Sequence, residues 1–246
     1  MSEAAAPNHP PIVVCDMEFT GHGRDRTQSK VFAVALVLLH PAKCNEPIPE
    51  TDKLVVYIDH EGIHDPAHPM WTELKGKEFW NAPAQAEVRK HLLEKVKSEG
   101  MKPELAFGKV WAWLSDKARA HPDLTLLDDG GADWDLLNHC LAKHDAGLTV
   151  QYIRWAEYTP YFDFNSYCKG LARTTWAGPW WGNTDAALKA LGLKLPEWKV
   201  PHDHNPLNDA ERFARTAGFV IHHIVSLAAS ESENKKRKTD SPAGEQ

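Results

Sequence analysis

Residues 13 to 21 read VVCDMEFTG, an apolar run that carries two carboxylates, Asp16 and Glu18, two positions apart. In a β-strand, residues i and i+2 point to the same face, so both acids stand side by side. Like charges placed together repel, and a divalent cation bound between them is the simplest offset. A second acidic cluster, LLDDGGADWDLL, brings Asp135 to the start of a helix after a strand and a glycine turn, with Asp128, Asp129 and Asp133 nearby. Strand-to-helix junctions are where open α/β sheets place their ligands. A third segment, HDHNPLNDAERFA, offers Asn205 as a helix N-cap and Pro206 in the first turn, which puts Asp209 early in the helix and His204 on the loop before it. Three elements could then bring their acids and one imidazole to a single point.

Spacing alone does not carry this reading. With 34 acidic residues and 14 histidines, a D-x-E or an H-x-x-x-x-D arises about once by chance. Both recur in IDHEGIHD, as Asp59 with Glu61 and His60 with Asp65. The segment HEGIH, residues 60 to 64, also fits the H-E-x-x-H pattern of zinc proteases, which works only on a helix. Here it follows a strand-like run, contains Gly62 and precedes DPAHP, so a helix would break after one turn. The order of the motifs along the chain, and the element each one sits on, carry the weight.

Those elements follow from periodicity. PIVVCDMEF, KVFAVALVLLH and KLVVYID are β-rich runs separated by Gly-, Asn- or Pro-containing segments, which predicts an antiparallel meander. Helical patterns occupy 83–98 and 103–120, LTLLDD reads as a strand, and DWDLLNHCLAKH has Leu136, Leu137, Cys140 and Leu141 at helical spacing. YIRWAEY, 152–158, is expected to be another strand, and a last helix to run from Pro206 to about Ala229. Residues 1–10 are expected to form a loose leader, 11–230 one domain, and 231–246 a disordered basic and polar tail. The order is that of a mixed α/β domain.

At 246 residues, 42% hydrophobic and 25% charged, the chain is long enough for a substantial core. A net charge of −6 argues against a protein that coats long nucleic acid, but not against one that grips a single strand end. Four widely spaced cysteines without a C-x-x-C pair are expected to be buried thiols. No apolar run reaches the roughly 18 residues of a membrane span, and the first residues lack the pattern of a secretory signal. An intracellular protein without membrane contact is expected, cytoplasmic or, if KKRK at 235–238 is an address, nuclear. Trp180 and Trp181, after Gly178 and Pro179, are expected in an exposed loop where bases could stack. Arg24, Arg26, Lys30, Lys169 and Arg173 are candidate phosphate contacts.

Taken together, the three segments resemble the DEDD superfamily of 3′-to-5′ exonucleases, in its histidine-containing subgroup typified by ribonuclease T and the proofreading subunits. Asp16, Glu18, Thr20 and Gly21 match the first motif, D-x-E-x-T-G. GADWD is similar to the second, giving Asp135, with Asp133 as the runner-up, and HNPLNDA to the third, giving His204 and Asp209. The second motif lacks its usual Asn, and Pro206 replaces a common Ala. Its glycine-alanine form looks like the branch of mycobacterial and phage exoribonucleases, which points to RNA.

The resemblance implies a ribonuclease H-like α/β fold, a mixed sheet flanked by helices. It implies two divalent cations, Mg²⁺ or Mn²⁺, held by Asp16, Glu18, Asp135 and Asp209, with His204 as general base. Met17, Phe19 and Thr20 would contact the substrate, a single-stranded RNA or DNA 3′ end, and the product would be a nucleoside 5′-monophosphate. A homodimer is expected, as in similar exonucleases. The competing expectation is a catalytically silent module that keeps the fold and binds nucleic acid or protein.

Overall fold

The computed structural model describes residues 9–20, 29–65, 67–68, 82–128, 133–144, 161–172, 180–200 and 204–239. Strands β1 (Ile12–Thr20), β2 (Lys30–Leu39) and β3 (Lys53–Tyr57) form the expected antiparallel meander. Strand β4 (Thr125–Asp128) then adds parallel to β1, and β5 (Tyr161–Asp163) parallel to β4, which gives a five-stranded mixed sheet in the order β3-β2-β1-β4-β5. Helices α1 (Ala86–Glu99) and α2 (Pro103–Ala120) separate β3 from β4, and α3 (Asp133–His144) follows β4. After β5 come α4 (Phe164–Ala172), α5 (Trp180–Leu191) and α6 (Pro206–Thr239). The architecture is the expected α/β sheet with helices on both faces.

The central strands are apolar without a break because both of their faces are covered. On β2 every residue from Val31 to Leu39 is buried. Along β1 the side chains alternate between two cores. Val13, Cys15 and Met17 pack with Phe107 and Val110 of α2 and with Trp134 and Leu137 of α3. Ile12 and Val14 pack on the other face with Phe164 of α4 and with Ala210, Phe213, Ala214 and Ala217 of α6. By the same alternation Asp16 and Glu18 continue the α6 face. A bulge between Glu18 and Phe19 moves the β2 partner from Ala33 to Val31, a shift of register just past the second carboxylate.

Helix α6 lies close on the sheet because its inner side is built of small residues. A Cβ added to Gly218 would meet Leu39 Cδ2 at 2.7 Å. Buried Arg215 fixes this helix by donating to the carbonyls of Cys44 and Glu46, at 2.8 Å each, and to Glu211 Oε1 through two nitrogens. Glu211 in turn receives Lys53 Nζ of β3 at 2.8 Å. A buried pair of this kind is held by the added hydrogen bonds to carbonyls as much as by its charge.

Several expectations need correction. Helix α6 runs to Thr239, nine residues into the segment expected to be a disordered tail. Glu231 with Lys235 and Glu233 with Arg237 have the i,i+4 acid-before-base order that favours a helix, and the residue types are good helix formers. Trp180 and Trp181 open α5 instead of lying in a loop. Residues 152–158, Arg24, Arg26 and Arg173 lie outside the described residues. The four cysteines are free and buried, as expected. Among the described residues no helix is long and apolar enough to cross a membrane.

HEGIH forms a turn, not a helix: Glu61 and Gly62 have φ of 39° and 89°. Ile63 is buried, and His60 Nε2 lies 2.6 Å from the Val31 carbonyl, a contact made by the tautomer that carries its proton on Nε2. Burial pushes His60 down to about 4, opposed in part by that bond. Because the folded-state value lies below that of the unfolded chain, the stability from neutral His60 is present above about pH 6.5 and is lost as the pH falls towards 4. Relative to His60→Gln, the protein is expected to lose about 3 kcal/mol over that window, read by urea unfolding at a series of pH values. Parallel pH profiles for the two proteins would contradict this.

Candidate active site

Glu18 stands near the C-terminal end of β1, the side of a parallel sheet on which ligands usually collect. It is buried, with 7% exposure. Its counterpart is the start of α6. Asn205 Oδ1 accepts the Leu207 amide at 3.1 Å and the Asn205 carbonyl accepts the Asp209 amide at 3.0 Å, so the predicted N-cap is present. Pro206 occupies the first helical position, where no amide is needed. Two residues before Pro206, His204 adopts φ of 56°, a left-handed conformation that costs energy for a side-chain-bearing residue. This turn and the first helical turn bring His204 and Asp209 to Glu18, so that one ligand-type atom from each of the three lies within 4.8 Å of the other two.

The second motif enters from α3. Burial, and then the charges of Asp209 and Asp133, hold the Glu18 carboxyl well above the ordinary carboxylate range. Asp133, at the start of α3, is the acid of that helix whose charge bears on Glu18. Trp134, between Asp133 and Asp135, is buried in the core and donates Nε1–H to the Leu127 carbonyl at 2.8 Å. Successive helical residues turn by about 100°, so Asp133 and Asp135 point about 200° apart and only one can face β1. Asp135 is exposed. The signal that favours Asp133 is the tryptophan itself: an indole drawn into the core sets the phase of the helix.

The remaining candidates divide by strand face. Asp16 is half-buried, two residues before Glu18 on the same face, opposite Ala35 of β2. Thr20 lies two residues past Glu18 and is buried, and its Oγ1 has no hydrogen-bond partner among the described residues. Met17 and Phe19 point the other way. Met17 is buried in the α2–α3 core and Phe19 packs against it, so the side chains of both face away from Glu18.

No protein-family model matches the sequence, and no curated protein sequence does. Solved structures do match. The nuclease domain of 3′hExo, a DEDDh family member bound to rAMP, superposes with a TM-score of 0.53 at 16% identity, over 89% of this chain and 95% of that one. A 3′-exonuclease in specific recognition of a histone mRNA stem-loop gives 0.52 at 17%, over 88% and 83%. S. pombe Pop2p in its Mg²⁺- and Mn²⁺-bound form gives 0.51 at 13%, over 88% and 83%. The fold is that of the DEDDh 3′-exonucleases.

Within this DEDDh fold the donor chemistry suits a hard divalent cation. Glu18 and Asp209 converge with His204, Asp133 adds its charge, and repulsion of that kind is what a cation with oxygen ligands relieves. Without metal, Glu18→Gln is expected to be more stable than the parent at neutral pH by about 1–3 kcal/mol, because it removes a buried like charge. With millimolar Mg²⁺ or Mn²⁺ the order reverses, since only the parent keeps its full set of oxygens. Melting curves with each metal and with EDTA read both arms, and an unchanged order would contradict the site.

Proposed function

We propose that the protein is a metal-dependent 3′-to-5′ exonuclease that shortens single-stranded nucleic acid, RNA in preference to DNA, and releases nucleoside 5′-monophosphates. The observation that carries this reading is the convergence of Glu18, His204 and Asp209, with the charge of Asp133 acting on Glu18, at the end of β1. The preference for RNA is supported by the neighbours in the DEDDh fold that hold rAMP and a histone mRNA stem-loop.

Asp16, Glu18, Asp133 and Asp209 would hold a pair of Mg²⁺ or Mn²⁺ ions. When bound, such ions offset the charge on attacking and leaving oxygens in phosphodiester hydrolysis. Asp133 takes the part that the sequence motif suggested for Asp135. His204 stands on the loop side of the acids, where its imidazole can accept a proton from an attacking water. The N-cap at Asn205 and the left-handed turn at His204 place that imidazole at the start of α6, beside Asp209. The Thr20 hydroxyl, without a partner among the described residues, is a donor available to the terminal nucleotide.

The test follows 3′-end shortening of 5′-labelled single-stranded RNA and DNA of one sequence, with Mg²⁺ or Mn²⁺ and with EDTA. Metal-dependent ladders are expected, faster on RNA. His204→Ala is expected to slow them by about 10²–10⁴-fold while leaving the fold intact. Asp133→Ala is expected to cost at least as much, and Asp135→Ala only a few-fold. Equal losses at 133 and 135 would return the role to Asp135, and no ladder with any metal would favour a silent binding module.

A further inference from the structure

A second cluster lies on the α3 side of the sheet. Lys30 of β2, His60 of the turn after β3, and His139, Cys140, Lys143 and His144 of α3 line one recess. The cations at the end of α3 alone would be explained by the helix dipole. Lys30 and His60 come from two other elements, and their convergence with Lys143 needs a different reason.

Among the described residues the lining of the recess holds no acid. The carboxylate paired with that lining, among the described residues, is Glu104, 3.6 Å from His144 and largely exposed. Among the described residues no carboxylate pairs with Lys30 or Lys143. Burial first, and then the neighbouring lysines, hold the imidazoles of both His60 and His144 below their usual value, as expected in a positive local field. The cavity measures about 10 Å³, room for one oxygen atom and no more. A base or a whole nucleotide does not fit. An oxyanion seated at the mouth, with one oxygen pointing in, does.

Position relates this recess to the acid cluster. Lys30 is the register partner of Thr20, two residues past Glu18 on β1, a step of about 7 Å along the strand. Lys143 is ten residues along α3 from Asp133, about 15 Å by helical rise. Lys30 thus stands beside the strand that carries Glu18, and Lys143 on the helix that opens at Asp133, both within reach of a short length of single strand.

We infer that Lys30 and Lys143 bind a backbone phosphate of the single-stranded substrate upstream of the 3′ end held at Glu18, His204 and Asp209. The inference rests on the nuclease reading for what occupies the acid cluster, but the phosphate contact can be read without cleavage. It makes affinity depend on substrate length: a dinucleotide is too short to reach the recess, and a longer strand is not.

The experiment compares the full chain with Lys143→Glu, an exposed position on α3, and with Lys97→Glu, an exposed α1 position that makes the same change in net charge. Fluorescence anisotropy in EDTA follows a labelled single strand of about ten nucleotides across a salt series, and cleavage with Mg²⁺ follows the same strand and a dinucleotide with the same 3′ end. Lys143→Glu is expected to weaken binding of the longer strand about tenfold and to lower the salt slope by about 1, and Lys97→Glu to leave both unchanged. In cleavage it should raise KM for the longer strand with kcat unchanged, and leave the dinucleotide unaffected. Equal effects of the two charge reversals, or no effect of Lys143→Glu on binding, would overturn the inference. Binding that responds to Lys143 without cleavage by the parent would uphold the phosphate site and overturn the nuclease reading instead.

Discussion

A carboxylate buried against two others is the constraint around which the site is arranged. Glu18 is held in the face of Asp209 and Asp133, and burial alone already disfavours its charge. Such an arrangement persists only when the surrounding structure over-determines it. Here the determination is divided among three parts: the alternation of β1, the phase of α3 and the capped start of α6. Each part has its own anchor in the core, so no single surface loop carries the cluster.

The anchors are apolar or buried-polar features some distance from the acids. Val13, Cys15 and Met17 hold β1 against α2 and α3, which leaves Asp16 and Glu18 no face but the one under α6. Trp134, bonded to the Leu127 carbonyl, sets which acid of α3 turns inwards. The close approach at Gly218 and the Arg215 bonds to the loop after β2 fix α6 along its length, and through it the position of Asp209 and His204. The chemistry is therefore carried by residues at the ends of elements whose middles are ordinary packing.

Much of this was legible from residue types. The meander followed from three β-branched runs with turn residues between them, and the α6 start from the Asn-Pro pair, because both signals are local. The choice between Asp133 and Asp135 was not local: two acids flank one tryptophan, and which of them faces β1 depends on the turn at which α3 begins. The same alternation that places Glu18 turns the Met17 side chain into the core, which a motif match alone does not show. The helix beyond residue 230 was read as a tail because it lacks hydrophobes, although acid-base pairs at i,i+4 can extend a helix without a core. The strand β5, only three residues long, is too short for a periodic signal.

The central proposal is that Glu18, Asp133 and Asp209 hold divalent cations. A crystal of the protein grown with Mn²⁺ and measured for anomalous scattering tests it most directly. The account predicts density bounded by Glu18, Asp133 and Asp209, with Asp135 turned to solvent. Density bound to Asp135, or none near Glu18 at saturating Mn²⁺, would contradict it.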